Sequence, residues 1–173
     1  MTTNNKIKDI LIVSMLSAIL VVVQLILGFL PNIQLTFLLL FVYSKCLGTF
    51  KTMIVILINV VLQNLIWGSF NLIYTPAMFI GYMLVPILLN HVFKNVNNIY
   101  AVSFISVLCS FIYSWCFILP SILLTEVSFT AYIISDILFE VLLAGSSFIS
   151  VLWLYERLCD VLNKIINNEK KSL

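Results

Sequence analysis

The sequence is short of charge. Asp, Glu, Lys and Arg make up 9% of its 173 residues, against about 25% in an ordinary soluble domain. It has one histidine, His91, which excludes a multi-histidine metal site. Four cysteines are present, Cys46, Cys109, Cys116 and Cys159, with no C-x-x-C pair. They read as small hydrophobic residues, not as a disulfide framework or a zinc site. The chain has no G-x-x-x-x-G-K-S/T, which excludes a P-loop ATPase, and neither H-E-x-x-H nor G-x-S-x-G. No catalytic residue, cofactor or metal is therefore assigned, and no nucleic-acid partner is expected.

What fills the sequence is apolar: 62% of residues are hydrophobic and the mean hydropathy is +1.16. Runs of about 20 apolar residues recur along the chain, each long enough for a hydrocarbon layer of roughly 30 Å. Alternating ten-residue segments, the mark of a membrane barrel, are missing. The expected fold class is an all-α integral membrane protein, residues 1–173 forming a single domain of six transmembrane helices. Breakers and polar clusters place the spans near 8–29, 33–47, 52–66, 76–93, 99–119 and 128–153. An amphipathic tail continues in water or along the interface to 173. Pro31 follows the first span, Gly48 ends the second, Gly81 and Pro86 interrupt the fourth, and Pro120 closes the fifth. The first apolar run exceeds a signal peptide's core and lacks an A-x-A-like site, so it reads as a membrane helix.

Charge gives the orientation. Lys6, Lys8, Lys45, Lys51, Lys94, Arg157, Lys164, Lys170 and Lys171 are all the basic residues except histidine. Six spans put every one on the same side, and the loops around Pro31, Gly68 and Ser121 have none. The positive-inside rule then places both termini in the cytoplasm of a cell membrane. The short second span and the interrupted fourth fit a bundle enclosing a cavity near one face, or equally tilt and local thinning of the bilayer.

Polar residues inside apolar spans mark the candidate site. Asp136 and Glu140 lie one turn apart, about 12 and 18 Å from the outer end of the sixth span. A carboxylate at that depth costs roughly 2.5–3.5 kcal/mol, and no Lys or Arg is present there to neutralise it, so the pair either serves a ligand or a proton or hydrogen-bonds structurally against other helices. Asn59, Gln63 and Asn64 put three amides within six residues of the third span, and each needs a partner. Trp67, Asn71 and Tyr74 surround the next loop, Asn32 and Gln34 the first outer loop, and Tyr113, Trp115 and Ser121 the outer part of the fifth span. Trp67, Tyr74 and Trp115 also suit an interfacial aromatic belt. Together these groups suggest an outward-facing pocket for a small molecule. Ser14 and Ala18 form a small-x-x-x-small pair on the first span, suited to close approach of another helix, inside the bundle or from a partner.

The stretch "LPNIQLTFLLLFVYSKCLGTFKTMIVILINVVLQNLIWGSFNLIYTPAMFIGYMLVPILL" has a short second helix, a basic turn, a third helix ending in an aromatic-Gly loop, and a Pro-containing fourth. With six spans and both ends inside, the chain resembles the substrate-binding S component of energy-coupling factor transporters. The resemblance covers the whole chain in topology. It implies high-affinity capture of a vitamin or vitamin precursor from outside. It also implies docking on a transmembrane coupling protein with two cytosolic ATPases, which hydrolyse the ATP. The helix-1 motif of that family, A-x-x-x-A, contacts the coupling protein; here it falls on Ser14 and Ala18, with serine at the first position. The family's pocket positions nominate Asn32, Gln34, Asn71, Tyr74, Tyr113, Trp115 and Asp136, beside Gln63, Asn64, Trp67 and Glu140 from the residue reading. The N-terminus, "MTTNN", lacks the Met-His segment of the nickel and cobalt members. The carboxylates hint at a cationic or donor-rich ligand, and a large neutral ligand such as cobalamin stays open. The competing classes are a self-sufficient transporter or channel acting as a homo-oligomer, and a membrane enzyme or assembly subunit. Comparing the halves 1–93 and 94–173 gives no convincing internal repeat.

Overall fold

The structure, a computed structural model, describes residues 3–30, 32–125 and 128–171, with side chains for 6–30, 32–125 and 128–167. Among them the chain is all-helical and has no strand. The helices are α1 (Thr3–Leu27), α2 (Thr36–Leu47), α3 (Thr49–Ile66), α4 (Tyr74–Ile87), α5 (Ile99–Trp115), α6 (Ile118–Thr125) and α7 (Phe129–Lys171). Five segments are long and apolar enough to cross a membrane: Lys6–Leu27, Thr49–Ile66, Tyr74–Val92, Ile99–Thr125 and Phe129–Asn167. The second expected span, α2, has only 12 residues, or about 18 Å.

That short helix is the centre of the bundle. Thr36, Phe37, Leu38 and the run Leu40–Ser44 are buried. A helix apolar all round is stable only when enclosed, and α2 packs against α1, α3, α4, α5 and α7. Gly48 joins it directly to α3. Its φ of 80° and ψ of 175° suit only a residue without Cβ. Its N–H bonds the Ser44 carbonyl at 3.2 Å, and its carbonyl accepts from the Thr52 hydroxyl at 2.9 Å.

α1 turns one stripe inward: Val13, Leu16, Ser17, Leu20, Val21 and Gln24. Their spacing of three and four residues is that of one helical face. Ser14 and Ala18 lie outside that stripe and are exposed, with Leu11, Met15, Val22 and Leu25. The pair therefore does not pack inside the bundle.

Three stretches depart from the expected spans. Pro86 sits inside α4, where it removes a backbone donor. The helix then continues as one π-helical turn, Leu88–Val92, closed by the Phe93 N–H on the Leu88 carbonyl at 2.8 Å. The fifth span does not run unbroken to Pro120. α5 stops at Trp115, a two-residue turn intervenes, and Pro120 falls in the first turn of α6, where a missing N–H leaves no bond unmade. The sixth span and the amphipathic tail are one helix of 43 residues, about 64 Å long. Tyr155, Leu158, Cys159, Leu162 and Ile166 keep the tail packed on the bundle core.

Candidate binding site

α1 and α3 end, α4 begins, and α5 gives way to α6 at one end of the bundle. Two adjoining cavities lie there. The first, about 420 Å³, is lined from α1 by Gln24, from the α1–α2 loop by Gly28, Asn32 and Gln34, and from α3 and beyond by Gln63, Asn64, Trp67 and Ser69. The second, about 580 Å³, shares Asn64, Ser69 and Met78 with it and adds Phe70, Asn71, Tyr74, Tyr113 and Phe117. No charged side chain lines either one among the described residues; Glu126 lies outside them.

The Gln24 and Gln34 side of the first cavity is tied down by hydroxyls. Gln24 donates Nε2–H to Thr36 Oγ1 at 3.0 Å, and Thr36 donates its hydroxyl to Gln34 Oε1 at 3.2 Å. The Gln34 backbone N–H reaches Ser146 Oγ of α7 at 3.4 Å, and the same hydroxyl lies 3.4 Å from the Asn32 carbonyl. Asn32 adopts a φ of 54°, a left-handed conformation that asparagine tolerates better than most residues. Trp67 lies across the end of α1 because Gly28 leaves room: a Cβ there would stand 2.9 Å from the indole Cζ2.

Asn64 divides the cavities and is held on both sides. Its Nδ2 donates to the Val60 carbonyl at 2.8 Å, and its Oδ1 accepts from Thr75 at 3.2 Å. Asn71 is occupied locally: its Oδ1 accepts from the N–H groups of Ile73 and Tyr74 at 2.8 and 3.2 Å, starting α4. The second cavity has an aromatic wall. Tyr74 stacks on Phe117 at 6.1 Å, Phe117 meets Tyr113 edge-on at 5.0 Å, and Tyr113 stacks on buried Tyr82 at 4.3 Å. Gly81 makes the last contact possible, since a Cβ there would come within 2.8 Å of the Tyr113 ring.

The structure thus gathers Asn32, Gln34, Gln63, Asn64, Trp67, Asn71, Tyr74 and Tyr113 around the two cavities. Three nominated residues stay outside both linings. Trp115 is 59% exposed on the far side of α5, beside Phe111. Asp136 accepts a hydrogen bond from Ser114 at 2.8 Å. Tyr132 stands beside both Asp136 and Ser121, and Ser121 is bonded to Tyr74 at 3.1 Å. Glu140 is half-buried and makes no hydrogen bond or ion pair among the described residues. Asp136 therefore meets a hydroxyl between α5 and α7, and neither carboxylate lines a cavity.

Several contributors were not among the nominated residues. Gln24 is a lone amide inside an apolar run, and the reasoning that marked Gln63 and Asn64 applies to it equally. Ser69, Phe70, Met78, Phe117 and Ser146 carry no signal that separates them from ordinary loop or core residues. Comparison with known proteins adds no relative: no protein-family model, curated protein or solved structure matches the chain.

Proposed function

We propose that this chain is a membrane-embedded binding subunit that captures a small molecule, a vitamin or vitamin precursor, at the outer face of a cell membrane. The observation that carries the reading is the pair of cavities, walled by amides and aromatic rings, at the bundle end that has no Lys or Arg. The positive-inside rule puts the basic end, and both termini, in the cytoplasm, so the cavities face outward. In this reading α2 completes a sixth crossing within a sheath of longer helices.

Release inward needs energy that this chain has no motif to draw from ATP. We assign that step to the partners of an energy-coupling factor module, a transmembrane coupling protein and two cytosolic ATPases. The exposed face of α1 around Ser14 and Ala18 offers small side chains on which another helix can pack closely. The test is purification of the full chain from its native membrane with identification of bound proteins. Two ATPases and a coupling protein are expected. A homo-oligomer that transports unaided in liposomes overturns the reading. The paired change Ser14→Leu and Ala18→Leu should spare binding and abolish uptake; surviving uptake moves the docking face elsewhere.

A further inference from the structure

The binding-subunit reading leaves open what the cavities accept, and the inference here rests on that reading. We infer that they take a molecule with no net charge, presenting at least two N–H or O–H donors to the amide cavity and a planar ring to the aromatic one.

The charge follows from the walls. Five carboxamides, on Gln24, Asn32, Gln34, Gln63 and Asn64, line the first cavity, and no ionised group lines either among the described residues. An ion drawn from water into such a place finds dipoles but no counter-charge, and the desolvation cost goes unmatched. The nearest intramembrane carboxylate, Asp136, is engaged by Ser114 outside the lining. This sets aside the cationic half of the expectation that the carboxylates raise, and keeps its donor-rich half.

The donors follow from what the amides lack. Gln24 Oε1 and Gln63 Oε1 are buried and have no hydrogen-bond partner, and Gln24 is only 8% exposed. In the structure the Gln24 nitrogen donates to Thr36, whose hydroxyl donates to Gln34, and the Gln24 oxygen is left open. Both orphan atoms are acceptors, and a buried acceptor is costly until something donates to it. The ring follows from the second cavity, where Tyr74, Phe117 and Tyr113 form a continuous aromatic wall suited to offset stacking.

The test uses the full-length chain in detergent. Molecules released from it are identified by mass spectrometry, and four matched probes are titrated: nicotinamide, anionic nicotinate, cationic 1-methylnicotinamide, and N,N-dimethylnicotinamide, which has no donor. An uncharged released molecule with two or more donors is expected. Among the probes, nicotinamide should bind at least about tenfold tighter than the other three, a separation of about 1.4 kcal/mol. Gln24→Leu and Gln63→Leu should each lower that binding about tenfold with helical content unchanged. The Gln63 side chain makes no hydrogen bond among the described residues, so its variant keeps the test open if Gln24→Leu fails to fold. A released molecule with net charge overturns this inference and leaves the binding-subunit reading standing. So does equal or tighter binding of a charged or donor-free probe, or binding that both leucine variants leave unaltered. No released molecule together with no probe bound overturns both.

Discussion

The two ends of the bundle are built on different terms. At the basic end no buried side-chain polar atom lacks a partner among the described residues. Lys51 pairs with Asp9 at 2.6 Å, and Asn90 donates to both the Ser44 carbonyl and Thr49. The Tyr43 hydroxyl donates to the Leu16 carbonyl deeper in the bundle. At the other end the accounts are left open. All four buried side-chain polar atoms without a partner, among the described residues, belong to Gln24, Asn59 and Gln63. Two of those residues line a cavity and the third sits one turn deeper on α3. Since nearly all buried polar groups in folded proteins are paired, such a cluster is a departure, and at Gln24 and Gln63 it fits the binding role proposed for that end. One end closes the bundle; the other keeps its hydrogen-bonding capacity in reserve.

Substitutions can break that contrast, the largest first. Gly81→Val should drive the Tyr113 ring off α4 and collapse the aromatic wall. Overpacking of this kind costs about 1–3 kcal/mol of stability, and loss of the aromatic wall should weaken nicotinamide binding about tenfold; thermal melting and titration calorimetry read the two. Gly48→Ala should act only on the basic end, by imposing a φ of 80° on a residue with Cβ. It should lower thermal stability by about 1–3 kcal/mol and leave binding alone. Asn59→Leu has the opposite sign: it removes a buried, unpartnered amide and should raise stability by about 1 kcal/mol. A lower melting temperature for this variant would mean that Asn59 has a partner, and the asymmetry between the ends would weaken. Lys51→Ala should be nearly silent, below about 1 kcal/mol, because the pair is a third exposed.

Much of this was legible before any coordinates. Membrane helices follow from hydrophobic runs, the loops from Gly, Pro and Asn clusters, and the site's neighbourhood from amides in apolar helices that need partners. What was not legible is the direction in which a side chain points. Tyr113 and Trp115 are two residues apart on α5, so they face nearly opposite ways. Both are aromatic residues near a helix end, and only packing against Gly81 and Phe117 decides that Tyr113 is the inner one. Asp136 was marked by its cost in lipid, and Ser114, one of many serines, answers that cost. The π turn after Pro86 and the break before Pro120 were hidden for another reason. A proline announces a missing donor but not how the chain accommodates it: by widening the helix in one case and by restarting it two residues earlier in the other.

The brevity of α2 has a consequence for how a solute arrives. A helix of 12 residues leaves about 12 Å of a typical hydrocarbon layer without turns of its own. Thr36, at its first turn, holds Gln24, and Gln34 stands two residues before it. In the proposed reading, a molecule arriving from outside would reach these amides through the space left beyond α2 instead of dissolving in oil. Admission would then be graded by hydrogen bonding and not by greasiness, which favours compounds too polar to leak across the bilayer.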